Sequence, residues 1–189
     1  PKTKAIVPVH LFGQCADMEA LMQIAKENNL YIVEDACQAI GAVYTFADGT
    51  QKQAATMGEI GCTSFFPSKN LGCYGDGGAI FTNDDELAQK IRVIANHGME
   101  VRYHHDVVGV NSRLDSIQAA VLLAKLPYLD EYIEARQKAA TYYTEALKGD
   151  ERFLIPVVGR GTTHAFHQYT LRCVGVNRDE VREQLAAKG

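Results

Sequence analysis

The chain has 189 residues and a formal net charge of −4 at pH 7, because 19 lysines and arginines face 23 aspartates and glutamates. Hydrophobic residues make up 47% of the chain and charged residues 22%, the ordinary balance of a folded globular protein. These values argue against a disordered chain, a coiled coil and a nucleic-acid binder that depends on bulk positive charge.

The first residues of the chain predict a βαβ unit. A β-rich run at 4–9 is followed by apolar residues at helical spacing over 17–28, with Asp17 as the helix cap. An apolar strand at 30–33 then ends at two acids, the second of which is Asp35. Strand, helix and strand, with acids where the second strand ends, are typical of a buried parallel sheet. The sequence therefore predicts an α/β fold.

Two further strands flank a glycine-rich loop that carries a single lysine. Residues 61–66 and 79–82 predict the strands, and Lys69 lies in the loop between them. The polar stretch 41–60, which precedes these strands, predicts an exposed excursion from the fold.

The remainder of the chain is mainly helical. Its pattern predicts helices at 84–96, 113–125 and 127–148, a strand at 165–174 and a helix capped by Asn177. The long helix at 127–148 is predicted to connect a first domain, residues 1–126, to the beginning of a second domain, residues 127–189. Because the chain opens directly on a strand and closes in a helix without a partner strand, we expect it to be an internal fragment.

Two side chains are candidates for chemistry. Lys69 has apolar neighbours such as Phe65 and Leu71, which favour the neutral amine that a Schiff base requires; a loop lysine beside a tight turn explains the pattern equally well. Asp35, at the carboxyl end of a buried parallel strand, faces the crevice where α/β sheets bind ligands. It either caps the next turn or pairs with a protonated ring nitrogen, and Gln38 offers a hydrogen bond from the same side.

Several motifs follow one another in a fixed order along the chain. They are E-D-A-C-Q at 34–38, S-F-F-P-S-K at 64–69, G-D-G-G at 75–78, N-H-G at 96–98 and G-V-N-S-R at 109–113. Together they resemble the DegT/DnrJ type of sugar-nucleotide aminotransferases, which depend on pyridoxal 5′-phosphate (PLP) and have fold type I. The resemblance implies part of the mainly parallel large-domain sheet and the start of the small C-terminal domain. We expect this piece alone to have little or no transaminase activity.

The resemblance also implies roles for individual residues near the cofactor. Lys69 would form the Schiff base with PLP and move the substrate proton, and Ser64 would hold the cofactor phosphate. Asp35 would keep the pyridine nitrogen protonated, so that the ring acts as an electron sink, and Gln38 would lie near the phenolic oxygen.

Three further residues would act on the substrate or across a subunit boundary. In the family that the chain resembles, Asn111 would reach the cofactor phosphate of the neighbouring subunit. Arg113 would lie near the nucleotide-sugar, and His104 would donate a hydrogen bond to the substrate. The resemblance therefore implies a homodimer with shared active sites.

The implied reaction is transamination of a nucleotide-linked ketosugar, with glutamate as the amino donor. The segment 102–105 resembles relatives that act at a 3-keto position more than those that act at a 4-keto position. The product would enter cell-surface polysaccharide or glycosylated metabolite synthesis. One alternative is a truncated, non-catalytic fragment or pseudoenzyme of the same fold; another is a fold-type I enzyme with an amino-acid substrate.

Other kinds of site find little support in the sequence. The five cysteines are widely spaced and form no CxxC pair, which argues against a disulfide framework and a zinc site and favours a reducing, cytoplasmic setting. No apolar run approaches the roughly 20 residues of a membrane helix. Adjacent His104 and His105 point apart, and His164 and His167 on a strand would face opposite sides, so we expect no metal.

Overall fold

The computed structural model describes residues 2–189, which form short strands and five α-helices. The strands are β1 (Ala5–Ile6), β2 (Tyr31–Asp35), β3 (Val43–Thr45), β4 (Gln51–Gln53), β5 (Ile60–Ser64), β6 (Gly78–Phe81), β7 (Phe153–Leu154) and β8 (Arg172–Cys173). The helices are α1 (Met18–Asn28), α2 (Asp85–Ala95), α3 (Ser116–Lys125), α4 (Leu129–Leu147) and α5 (Arg178–Ala186). The predicted α/β class is confirmed.

The central sheet has four strands in the order β1-β2-β5-β6. β1 and β2 are parallel, and so are β2 and β5, with Asp35 opposite Cys62. β6 runs antiparallel to β5 and pairs Gly78 with Ser64. Because β2 and β5 are parallel neighbours, their carboxyl ends meet at the same edge of the sheet. The predicted, mainly parallel sheet is confirmed.

Helix α1 lies where the apolar spacing predicts it. The Asp17 side chain accepts a hydrogen bond from the N–H of Ala20, which caps the first turn, and Asn29 ends the helix in the left-handed conformation with φ 53°. Met18 and Ala25 are the buried side chains of its inner face. The helix therefore covers β1 and β2, which it contacts.

The polar stretch at 41–60 is exposed mainly over 47–53, so the expectation of an exposed excursion was wrong for both of its ends. β3 and β4 form an antiparallel hairpin. Tyr44, Ala55 and Met57 are buried in the main core. The reason is electrostatic, because the backbone N–H groups of Ala55 and Met57 donate to the buried carboxylate of Glu34, which draws this segment inward.

The predicted strand at 165–174 is also largely wrong. Only β8 at its end is a strand, and it pairs with β7. The segment 164–168 follows an irregular path, with Phe166 at φ 42°. Arg136 of α4 donates to the carbonyl oxygens of Phe166 and His167, which occupies acceptors that a neighbouring strand would otherwise use.

Two apolar clusters hold these elements together. The larger joins the sheet, α1, the hairpin, α4 and the tail, and includes Met18, Ile32, Tyr44, Ile133 and Ala165. The smaller lies under the glycine-rich loop and consists of Phe65, Leu71, Cys73 and Leu122. Among residues 2–189, none of the helices combines the length and the apolar character needed to span a membrane. The division into domains at 1–126 and 127–189 stays a prediction.

Candidate functional site

The candidate site lies at the edge of the sheet where β2 and β5 end. Asp35 is the last residue of β2 and Ser64 the last of β5, and both are half-buried. One carboxylate oxygen of Asp35 accepts a hydrogen bond from the N–H of Cys37 at 3.1 Å. The Ser64 hydroxyl accepts one from the N–H of Phe66 at 3.2 Å. An acid and a hydroxyl therefore stand beside each other at one sheet edge.

The residue before Asp35 faces the opposite side of the sheet and has a structural task. Glu34 is fully buried, and its carboxylate lies 2.8 Å from Nε2 of His10. Burial alone would raise the pKa of Glu34, but hydrogen bonds from His10 and from the backbone of Gly58 and Met57 lower it below its usual value. Glu34 therefore stays ionised and fixes β2 to the 54–58 segment.

Backbone hydrogen bonds fix the loop that carries Lys69. The N–H of Lys69 donates to the carbonyl of Phe66 at 2.9 Å, which closes a tight turn after β5. The N–H of Phe65 donates to Gly77, and the N–H of Cys73 donates to Phe65, both at 2.8 Å. Lys69 is half-buried in this loop. Among the described residues its ammonium group forms no ion pair.

Asp35 and Lys69 share a neighbour. Burial raises the pKa of the Cys37 thiol to about 11; the adjacent Asp35 carboxylate raises it as well, whereas the Lys69 ammonium opposes the rise. Both charged groups therefore act on the same sulfur atom. The Cys37 thiol stays protonated at neutral pH.

The Gln38 side chain fixes the turn that follows β1. Its amide oxygen accepts a hydrogen bond from the N–H of Phe12 at 2.6 Å, and Phe12 has a left-handed backbone with φ 59°. Because the oxygen is engaged there, the amide N–H groups of Gln38 are the donors left to meet a ligand.

The other three predicted site residues lie elsewhere in the chain. Asn111, Arg113 and His104 are all exposed, and Nε of Arg113 donates to the Asn111 side chain at 3.4 Å. Within residues 2–189, no hydrogen bond or ion pair connects them to Asp35 or Lys69. Their roles toward a cofactor or a substrate stay predictions.

The histidines of the tail do not occupy a strand, so the expected alternation of His164 and His167 was based on a wrong element. His164 is buried, stacks on Phe166 with ring centroids 3.9 Å apart, and accepts at Nδ1 from the Phe166 N–H. Burial lowers the pKa of His164 to about 4. In the described part of the chain, no group of three or more His, Cys, Asp or Glu side chains could hold a metal ion.

Sequence reasoning missed the polar contacts that join the lysine loop and α4 to the tail. Asn70 is buried and donates from Nδ2 to the carbonyl of Ala165 at 2.9 Å. Burial lowers the pKa of His167, and the charges of Lys69 and Arg136 lower it further. The adjacency of Asn70 to Lys69 is the only sequence signal for this group; the part played by α4 and the tail needs the folded structure.

Comparison with known proteins places the whole chain in one group. The family model described as the DegT/DnrJ/EryC1/StrS aminotransferase family matches residues 1–189. UDP-2-acetamido-2-deoxy-3-oxo-D-glucuronate aminotransferase from Pseudomonas aeruginosa is 50% identical over 189 residues, which cover 100% of this chain and 50% of that protein.

Solved structures with this architecture include proteins captured with reaction components. S. venezuelae DesV in complex with a ketimine intermediate superposes with a TM-score of 0.92 at 43% identity, over 100% of this chain and 49% of that one. NtdA from Bacillus subtilis with bound cofactor PMP superposes with a TM-score of 0.78 at 32% identity, over 100% of this chain and 41% of that one. The chain thus spans about half the length of the relatives that it matches.

Proposed function

Because the chain belongs to the DegT/DnrJ/EryC1/StrS aminotransferase family, we propose that it forms part of an enzyme that transfers an amino group from glutamate to a nucleotide-linked ketosugar. The cofactor is PLP. The observation that carries this proposal is the position of Asp35 and Ser64 at the carboxyl ends of the paired parallel strands β2 and β5, with Lys69 in the loop that follows β5. Open α/β sheets bind their ligands at this edge.

The chemistry of this donor set fits PLP. A carboxylate such as Asp35 suits a protonated ring nitrogen, a hydroxyl such as Ser64 suits a phosphate, and a primary amine such as Lys69 suits an aldehyde. The N–H groups left on Gln38 suit a phenolic oxygen. When bound, PLP supplies a ring that withdraws electrons from the substrate carbon.

Each residue of the site then has one physical task. Asp35, fixed by the N–H of Cys37, would stabilise positive charge on the ring nitrogen. Ser64 would hold the phosphate. The Lys69 amine would take a proton from the substrate carbon and return it at a position two bonds away, which requires a single base that reaches both positions.

For the acceptor substrate we propose a sugar whose keto group is at carbon 3, linked to a nucleotide. The support is the Pseudomonas relative, whose name gives a 3-oxo sugar linked to UDP as its substrate and which is 50% identical over this whole chain. A product of this kind enters cell-surface polysaccharide or glycosylated metabolite synthesis.

We further propose that two copies of the protein build each active site. Asn111, Arg113 and His104 are exposed, and within residues 2–189 they form no hydrogen bond or ion pair with Asp35 or Lys69 of their own chain, which supports a role toward the cofactor phosphate and the nucleotide-sugar at the site of the other copy. The second domain begins with α4 in this arrangement, and the five free cysteines support a reducing, cytoplasmic setting.

The experiment is reductive trapping of PLP on the 189-residue chain, with the modified lysine identified by peptide mass spectrometry. We expect trapping at Lys69 and a visible absorption band before reduction. Lys69→Ala should lose both signals, whereas Lys52→Ala, which removes an exposed lysine from β4, should keep them. Equal labelling of the exposed lysines, with no preference for Lys69, would refute the proposal.

Substrate choice needs a second measurement on a protein that contains the missing half of the family's length. The aminated form of the cofactor is mixed with nucleotide-linked 3-ketosugars and 4-ketosugars, and the return of the visible band is followed. We expect the visible band to return with the 3-ketosugar. If the band returned only with the 4-ketosugar, the keto group of the substrate would be at carbon 4. The 189-residue chain alone should show little or no turnover.

A further inference from the structure

Helix α3 packs one of its faces against the lysine loop, residues 65–77, which connects β5 to β6. Gln118, Leu122 and Lys125 follow one another at intervals of four and three residues, so their side chains share one face of the helix. All three are buried or half-buried, whereas Ile117, which points away from this face, is 73% exposed. The inner face of α3 is therefore the face that contacts the loop.

Two polar side chains on this face hold the backbone of the lysine loop. The Lys125 ammonium group donates a hydrogen bond to the carbonyl of Gly72. The amide oxygen of Gln118 accepts a hydrogen bond from the N–H of Tyr74 at 2.7 Å. A hydrogen bond from a charged donor is stronger than a neutral one, so Lys125 makes the firmer of the two contacts. Together they fix the loop shortly after Lys69.

The position that Lys125 holds lies directly against the turn that carries Lys69. A Cβ at Gly72 would lie 2.5 Å from the carbonyl oxygen of Pro67 and 2.8 Å from that of Phe66. Only glycine lets two stretches of backbone approach this closely. The same Phe66 carbonyl accepts the hydrogen bond from the Lys69 N–H at 2.9 Å. A movement of Gly72 would therefore displace the turn that carries the amine.

The tail holds the lysine loop from another side. Asn70, directly after Lys69, is buried and donates from Nδ2 to the carbonyl of Ala165 at 2.9 Å. Within residues 2–189 no ion pair holds the Lys69 ammonium group itself. The place of the amine therefore depends on the backbone that carries it, and α3 is one of the elements that fix this backbone.

We propose that Lys125 and Gln118 are positioning residues for Lys69, because they fix the lysine loop against α3 and so set where the amine can reach. A reacting group must be held close to its target atom, and a small displacement slows the reaction strongly. Both side chains contact the loop backbone and act on the reaction only through Lys69. The inference rests on the proposed role of Lys69 as the reacting amine.

The first test needs no cofactor. Amide hydrogen exchange, followed by NMR, compares the unmodified chain with Lys125→Met, which keeps an apolar stem of similar length and removes the charged donor. We expect the N–H groups of Lys69 and Cys73 to exchange about tenfold faster, because the loop opens more often. The N–H of His10, which donates to the carbonyl of Asp35 at 2.9 Å, should keep its rate, which excludes a general loss of stability. Unchanged exchange at Lys69 and Cys73 would overturn the proposal.

The second test is the rate of PLP trapping at Lys69, measured over a range of PLP concentrations. Lys125→Met should lower the rate at saturating PLP about tenfold, and Gln118→Leu should lower it about threefold, because the neutral hydrogen bond is the weaker one. The PLP concentration that gives half the maximal rate should change less than about twofold, since Asp35 and Ser64, which would bind the cofactor, lie on β2 and β5 and not on α3.

Conservative variants and a control separate positioning from a general effect on the protein. Lys125→Arg keeps a charged donor for the Gly72 carbonyl, and Gln118→Glu keeps an oxygen acceptor for the Tyr74 N–H, so both should recover most of the rate. Lys138→Met, which removes an exposed lysine from α4, should leave the rate unchanged. Equal rates at saturating PLP for Lys125→Met and the unmodified chain would refute the positioning role, and so would a change confined to the half-saturating concentration.

The two tests separate this inference from the proposed function. If no lysine is trapped in the unmodified chain while the loop amides still respond to Lys125→Met, the contact of α3 with the loop stands and the proposed function fails. If Lys69 is trapped at the same rate with and without the Lys125 ammonium group, the function stands and the positioning role is refuted.

Discussion

At the scale of single residues, the buried carboxylate of Glu34 makes several hydrogen bonds that hold the fold together. It accepts hydrogen bonds from the His10 ring and from the backbone of Ala55, Met57 and Gly58. Among residues 2–189, no exposed acid has a comparable set of donors. Removal of the Glu34 carboxylate would therefore leave several buried polar groups unpaired.

We expect Glu34→Ala to lower the free energy of unfolding by about 3–5 kcal/mol, the usual cost of breaking a buried pair by removing one partner. The measurement is urea denaturation followed by circular dichroism. Glu27→Ala is the matched control, because Glu27 is an exposed acid that bonds only to Gln23. A loss below about 1 kcal/mol for Glu34→Ala would show that the 54–58 segment finds other partners.

The buried ring of His164 makes stability depend on pH. Its pKa is about 4 in the folded chain against 6.5 as the ordinary value. The ring is therefore protonated below about pH 6.5 in the unfolded chain but only below about pH 4 in the folded chain. The free energy of unfolding keeps this contribution above about pH 6.5 and loses it as the pH falls towards 4.

The expected loss between pH 7.5 and pH 5 is about 2 kcal/mol from this one ring. Urea midpoints at the two pH values measure it. His164→Asn keeps an acceptor for the Phe166 N–H and cannot titrate, so its midpoint should depend less on pH. His105→Asn should behave as the unmodified chain does. A His164→Asn variant as sensitive to pH as the parent chain would assign the effect to other groups.

At the scale of elements, β5 and the 54–58 segment are packed too closely for any side chain between them. A Cβ at Gly61 would overlap the carbonyl oxygen of Ala55. Ala55 is itself held in a left-handed conformation with φ 72°. The contact joins the middle of the sheet to the segment that Glu34 anchors.

We expect Gly61→Ala to destabilise the fold by at least about 3 kcal/mol, because backbone would have to move on both sides of the contact. Thermal unfolding gives the comparison with Gly159→Ala, where the nearest atom to a new Cβ is a Thr162 methyl group at 3.4 Å. Melting temperatures within a few degrees of each other for the two variants would contradict the packing described for β5.

The elements that the sequence predicted well are those with local signals. α1 begins after the Asp17 cap and α5 after the Asn177 cap, as their side chains indicate. The errors at 41–60 and 165–174 have a common cause. Both segments take their path from distant charged groups, Glu34 in one case and Arg136 in the other, and no local pattern reports such partners.

The candidate site divides in the same way. The place of Asp35 at a strand end and of Lys69 in a glycine-rich loop was predictable from local signals, and the roles of both toward a cofactor stay predictions. The close approach of the tail to Gly13 was not predictable. The spacing of residues along the sequence predicts contacts within one helix or strand. It does not predict which loop the tail will contact.

At the scale of the whole molecule, large apolar side chains remain exposed in the segment before α3 and on α3 itself. Val108 is 97% exposed, Ile117 73% and Leu123 71%. Exposed apolar groups of this size near a predicted substrate-binding segment favour an interface. This agrees with the proposal that a second copy contributes to each site.

We therefore expect the chain to associate, and we expect Val108→Glu with Ile117→Glu to shift it towards the monomer, because charges are costly in an apolar interface. Sedimentation velocity over a range of concentrations measures the change. Val157→Glu is the control, since Val157 is 77% exposed but lies in the tail. Association that is equally strong in all three proteins would exclude this patch.

The two neighbouring acids of β2 belong to opposite sides of the sheet. Glu34 is fully buried among hydrogen-bond donors, whereas Asp35 lies at the carboxyl end of β2 and is only half-buried. A slip of β2 by a single position would move each of the two acids to the opposite side of the sheet. Glu34 would lose its hydrogen-bond donors, and Asp35 would be buried where no donors are placed for it. Misfolded chains with this slip would thus be unstable as well as inactive, so a correctly aligned β2 is selected by the fold before any cofactor arrives.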